Sequence, residues 1–137
     1  MQPSGDRIWR VDHAAPRIFR ITRTAAPYAS IDEVHATFLD LRLDLRARLH
    51  AQPLARAPHG LLVDLRDGPL RSDPPFEEAA REHRPRLFEG FAAGAVLVRT
   101  LSGKIQLSRQ ERVDRAYRSF DDEEEALAFL RDALDGA

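Results

Sequence analysis

Residues 60–65, GLLVDL, set three apolar side chains in a row, Leu61, Leu62 and Val63, in a segment too short to be a helix of its own. Successive side chains of a strand point to opposite faces, so a consecutive apolar run needs cover on both sides. That requirement predicts a central strand, parallel to a neighbour, inside a layered α/β domain. Asp64 closes the run, and Arg66-Asp67-Gly68-Pro69 follows with strong turn chemistry. Residues 94–100, GAVLVRT, repeat the pattern and predict a second central strand.

The segments around these strands have helical periods. Ser30 offers a capping hydroxyl and Glu33 stands three residues on, which completes a capping box. Ile31, Val34, Phe38, Leu41, Leu45 and Leu49 then recur at spacings of three and four, with Leu39 and Leu43 widening the stripe. After the turn at 66–69, Ser72 or Asp73 caps a helix with prolines at its first positions. Phe76, Ala79, Ala80, His83, Leu87 and Phe91 form its apolar face, and Pro85 is expected to kink or split it. Ser102 caps a weaker helical pattern over 103–113. Asp121 and Glu124 then mark the start of a last helix whose Leu127, Leu130 and Leu134 face inward. Its acids at 122–125 lie where the helix dipole favours negative charge.

Two alternating segments, 7–13 with Trp9 and Val11 on one face and 17–24 with Phe19 and Ile21 on one face, predict an antiparallel hairpin around a turn at 13–16. Residues 117–120 form a short closing strand. The order β-β-α-β-α-β-α-β-α implies a mixed sheet, mostly parallel, opened by the hairpin and covered by helices. Residues 1–6 read as a loose end and 7–137 as one domain, which suits a chain of 137 residues.

Composition narrows the function classes. The chain is 43% hydrophobic and 31% charged, yet its formal net charge is −1, so no global field draws it to nucleic acid or an anionic membrane. It has no cysteine, which removes disulfides and thiolate chemistry and suits a reducing compartment. The first residues lack the apolar run of a secretory signal, and the longest strongly apolar stretch, 91–98, is too short to span a bilayer. The expectation is a cytoplasmic protein without nucleic-acid binding or membrane insertion. Twenty arginines against one lysine fit a GC-rich genome; anion recognition by guanidinium forks is the functional alternative, which their scatter among acids disfavours.

Motifs for catalysis are missing from the sequence. Gly103-Lys104 lacks the spacing of a phosphate-binding loop, Gly90 and Gly94 precede a strand instead of following one, and GxSxG does not occur. Histidines 13, 35, 50, 59 and 83 form no i, i+4 pair, and His83 falls on an apolar helix face, so no metal or other cofactor is expected. What remains is the carboxyl edge of the central strands, where open α/β sheets commonly meet ligands. Asp64, Arg66, Asp67 and Arg71 on one loop and Arg99, Thr100, Ser102 and Lys104 on the next form the candidate partner-binding rim. The helix N-terminus beside Ser72 and Asp73 would tolerate an anion.

Taken together, VDLRDG closing a central strand, the polar loop and helix after it, VLVRT, and YRSFDDEEEALAFL near the end resemble the STAS superfamily, and more narrowly the SpoIIAA-like proteins of bacteria. The resemblance spans about residues 7–134. It implies a four-to-five-stranded sheet with helices mainly on one face and a non-enzymatic regulatory role. It also implies docking to a kinase-like or signalling partner under control of a phosphorylated Ser or Thr. The acceptor position lands on Asp73, with Ser72 one residue earlier, while Pro74 and Pro75 replace the small residue and glycine of the family's turn. Asp73 as a permanent charge, Ser72 in a shifted loop, and loss of the switch are the three readings of that departure. SpoIIAA-like folds are also similar to lipid-carrying CRAL-TRIO domains. That likeness implies, as an alternative, a small apolar ligand. A small-molecule carrier or minor enzyme using the strand-end cleft would have a closed apolar pocket lined from the helices at 31–49 and 76–91. A further alternative is self-association, as a homodimer or larger assembly, through an exposed helix face or the hairpin edge.

Overall fold

The computed structural model describes residues 8–52, 57–68, 74–99 and 117–136. Five strands, β1 (Trp9–Ala15), β2 (Ile18–Arg23), β3 (Gly60–Asp64), β4 (Ala93–Leu97) and β5 (Arg118–Phe120), form one sheet in the order β1-β2-β3-β4-β5. β1 pairs antiparallel with β2, and the other neighbours run parallel. The three described helices are α1 (Ile31–Ala51), α2 (Pro74–Leu87) and α3 (Glu123–Asp135). The protein is thus α/β with a mixed five-stranded sheet and an N-terminal hairpin.

Each β-α-β step moves one strand along the sheet in the same direction, and right-handed crossovers then put their helices on the same face. α1 and α2 accordingly cover one face, over Phe19, Ile21, Leu61, Val63 and Val96. α3 follows the last strand and covers the other face, over Ile18, Leu62, Ala95 and Leu97. β3 is buried along its whole length because both faces are covered. At Gly60 an added Cβ would come to 3.4 Å from the Leu130 side chain of α3, which lies directly over this end of the strand.

The local signals held where they were short-range. Ser30 caps α1, its Oγ accepting from the Glu33 N–H at 3.1 Å, while Glu33 Oε1 accepts from the Ala29 N–H at 2.7 Å. Other expectations need correction. β1 ends at Ala15 with a register shift between His13 and Ala15, so the turn sits at Pro16-Arg17. Leu39 and Leu43 do not widen the buried stripe; they are 50% and 57% exposed. Thr37 takes the inward position instead, its hydroxyl donating to the carbonyls of Glu33 and Val34, which satisfies its polar atom under the sheet. Pro85 does not split α2. It falls in the last turn, the helix runs on to Leu87, and the chain then tightens through Phe88 N–H to Pro85 C=O and Glu89 N–H to Arg86 C=O. Near the end of a helix a missing N–H costs one bond and no further turn depends on it. The cap of α3 is Asp122, not Asp121: its Oδ1 accepts from Glu124 and Glu125 at 2.8 and 3.2 Å. The helical pattern expected over 103–113 and the loose end at 1–6 lie outside the described residues.

Candidate functional site

At the carboxyl end of β3 the alternation of the strand serves two different environments. Val63 and Leu65 face the α1/α2 side, and Asp64 between them faces α3. Register explains the second environment: Arg20 of β2 lies on the same face as Leu62 and Asp64, and Glu123 opens α3 above them.

Asp64 is nearly enclosed, with 3% of its side chain exposed. Its Oδ1 accepts from the backbone N–H and Nε of Arg66, both at 3.1 Å, and its Oδ2 accepts from Arg66 and Arg20 at 2.9 and 2.7 Å. Glu123 Oε1 takes a second bond from each guanidinium, at 2.7 Å from Arg20 and 3.2 Å from Arg66. Burial alone would raise the Asp64 pKa. The side-chain and backbone hydrogen bonds of Arg66, and then that of Arg20, outweigh it and hold the carboxyl below its ordinary value. Two cations and two anions cancel here, and the network ties β2, β3 and the start of α3 together. Asp64 and Arg66 are therefore joined to one another and to Arg20 and Glu123, residues that the sequence did not single out.

The two loops of the candidate rim do meet. Arg99, just past β4, donates to the backbone carbonyl of Arg66, and Asp67 and Arg99 are both exposed at that edge. Gly68 closes the turn against Arg23, whose Cγ would be 3.1 Å from an added Cβ. Arg71, Ser72, Asp73, Thr100, Ser102 and Lys104 lie outside the described residues.

On the opposite face the sheet, α1 and α2 enclose a cavity of about 290 Å³. Its floor is Trp9 of β1, Val63 and Leu65 at the end of β3, and Val96 of β4. Phe38 of α1 and Phe76, Ala80 and Leu87 of α2 form its walls, with Tyr28 and Phe88 at its margins. Arg23, Glu77 and Arg84 supply polarity: Arg84 pairs with Glu77 at 2.8 Å, and Arg23 donates to the carbonyls of Thr24 and Ala26 while lying 4.6 Å from the centre of the Tyr28 ring. The Trp9 Nε1–H points to the Tyr28 hydroxyl at 3.3 Å. The cavity is partly open to solvent, which corrects the expectation of a closed pocket. An aromatic, mostly apolar hollow with a few fixed polar groups is the ordinary chemistry of a small-molecule site, though its volume falls just below the usual range of roughly 300–1,000 Å³.

Behind the cavity wall, α1 and α2 are joined by a contact that helical spacing could not reveal. His35 Nδ1 and His83 Nε2 are 2.8 Å apart, and the His83 ring stacks on Phe38 at 5.0 Å and 7°. Burial, followed by His35, Arg86 and Arg42, lowers the His83 pKa below 6.5, and Glu82 only partly opposes them. The unfolded chain therefore binds a proton more readily than the folded one, so the contribution of this pair is full above about pH 6.5 and is lost as pH falls toward the lowered value. His83→Gln should remove about 0.5–1 kcal/mol of the stability difference between about pH 7.5 and about pH 5, the usual net worth of one hydrogen bond. Urea melts at the two pH values check this; an unchanged difference would dismiss the clasp.

Comparison of the chain with protein-family models, curated proteins and solved structures finds no match. Among the described residues, no helix is long and apolar enough to cross a membrane, and no group of three or more His, Asp or Glu side chains gathers as a metal cluster.

Proposed function

We propose that this protein binds a small, largely apolar molecule in the cavity between the sheet and α1 and α2, as a carrier or sensor acting without chemistry of its own. The observation that carries the reading is the aromatic-walled hollow of about 290 Å³ at the carboxyl end of β3. Open parallel sheets characteristically take ligands at this end. The reading takes up the alternative that the likeness of SpoIIAA-like folds to CRAL-TRIO domains implies, a small apolar ligand; the bacterial, cytoplasmic setting stays the expectation drawn from the sequence.

Ala80 is the position for a test, because it is 8% exposed and lines the cavity from α2. Ala80→Phe should fill the hollow and weaken binding of anilinonaphthalene sulfonate about tenfold or more, the penalty of overpacking one well-fitted site. Wild-type protein should bind one equivalent of the probe and release it to decanoate. Near-ultraviolet circular dichroism checks that the variant stays folded. Failure of the wild type to bind, or equal binding by folded Ala80→Phe, would sink the reading.

A second reading, a protein-docking module of the STAS type, is favoured by the meeting of the two loops at Arg66 and Arg99. Reversing the exposed charges with Asp67→Arg and Arg99→Glu separates the two. Under the docking reading the wild type retains a stoichiometric partner from native lysate and the double variant does not; under the cavity reading the two behave alike in that pulldown and both bind the probe.

A further inference from the structure

The nitrogens that join α1 to α2 are both ligand atoms. His35 Nδ1 and His83 Nε2 approach to 2.8 Å from two helices, each ring presenting one nitrogen to the same point. Two imidazole nitrogens bound to one tetrahedral zinc at 2.0–2.1 Å are about 3.3 Å apart, so a small separation of the rings would admit a cation between them. We propose that His35 and His83 form a two-imidazole site for a borderline divalent transition cation, of the zinc or nickel kind, which clamps α1 to α2.

Two features fit such a site. His35 is exposed beside the half-buried His83, which leaves an entry path and room for water on the His35 side. The His83 ring is held in place by its stack on Phe38, with Nε2 toward His35. The ligand atoms, not the surrounding charges, select the kind of cation. Arg42 of α1 and Arg86 of α2 raise the local potential and weaken binding of every cation alike, against Glu82 of α2. Arg42 also lies 3.8 Å from Glu89. A hard cation such as magnesium, which needs oxygen ligands, is disfavoured here, whereas imidazole suits zinc and nickel.

The test uses the full chain without a polyhistidine tag, stripped with EDTA and titrated calorimetrically with zinc, nickel and magnesium chlorides. Zinc or nickel should bind with one equivalent per chain. Either should raise Tm by about 4 °C at a concentration roughly ten times the dissociation constant, and magnesium should do neither. His35→Ala removes an exposed ring and should fold normally while losing affinity at least about tenfold, the loss expected for one of two protein ligands. His83→Gln should behave likewise, and His50→Ala, at the far end of α1, should bind as the wild type. No saturable binding by the wild type, or binding by His35→Ala equal to it, would overturn the proposal. Cavity-filling at Ala80 leaves both rings in place, so the outcome stands apart from that of the ligand reading.

Discussion

Asp64→Ala is expected to destabilise the protein by about 3 kcal/mol, lowering Tm by about 10 °C. The size follows from enclosure. Removing a buried anion leaves its cations without compensation, and such losses usually cost about 3–5 kcal/mol. The value sits at the low end because Arg20 and Arg66 are 24% and 38% exposed and keep Glu123 as a partner. Arg66→Ala should cost less, about 1 kcal/mol, because its guanidinium is partly hydrated and Asp64 retains Arg20. Acid provides an independent readout. The folded-state pKa of Asp64 is lowered, so its contribution is present above the ordinary carboxylate value of 3.8 and is lost as pH falls through the lower folded value. The denaturation curves of wild type and Asp64→Ala should therefore converge in acid, below about pH 4. Curves that stay parallel to the lowest pH at which both fold would show that the carboxylate charge is not what stabilises the strand end.

Phe38→Ala should have a still larger effect, about 3–5 kcal/mol. Phe38 is 2% exposed, meets the Trp9 ring edge-on at 5.6 Å and stacks on His83. It also forms the α1 wall of the cavity, so its deletion enlarges that hollow. The same substitution should change probe affinity, because an aromatic wall of the hollow is lost, and let the His83 pKa rise toward its ordinary value, because the ring loses the aromatic surface that desolvates it. Chemical denaturation, probe titration and an NMR titration of the imidazole protons measure the three consequences. A loss below about 1 kcal/mol would mean that Phe38 is not part of the packed core.

Some of this was readable in one dimension. The run Leu61-Leu62-Val63 required a covered strand because side-chain alternation is a property of the backbone. Ser30 and Glu33 required a helix start because their bonds span only a few residues. The hairpin, the second central strand and the last helix followed from the same local periods. Errors arose where competing candidates differed by one residue or by one face. Asp121 and Asp122 are chemically equal as caps, and the placement of α3 on the sheet chose the second. Leu39 and Leu43 are as apolar as their neighbours, but the angle at which α1 meets the sheet turned Thr37 inward and left them outside.

The candidate sites depended on more. Asp64 stood out as the end of an apolar run, yet its partner Arg20, and the Glu123 that shares the two guanidiniums with it, are 44 and 59 residues away along the chain. Only the parallel register of β2 with β3 and the docking of α3 bring them together. His35 and His83 showed no metal spacing because they belong to different helices, and the cavity draws its lining from strands, helices and turns at once. The sequence by itself determined the elements and the layers, since hydrogen bonding and side-chain period act over a few residues. Tertiary structure decided which charges cancel, which imidazoles meet and where the hollow lies, because those depend on packing between segments that no local rule connects.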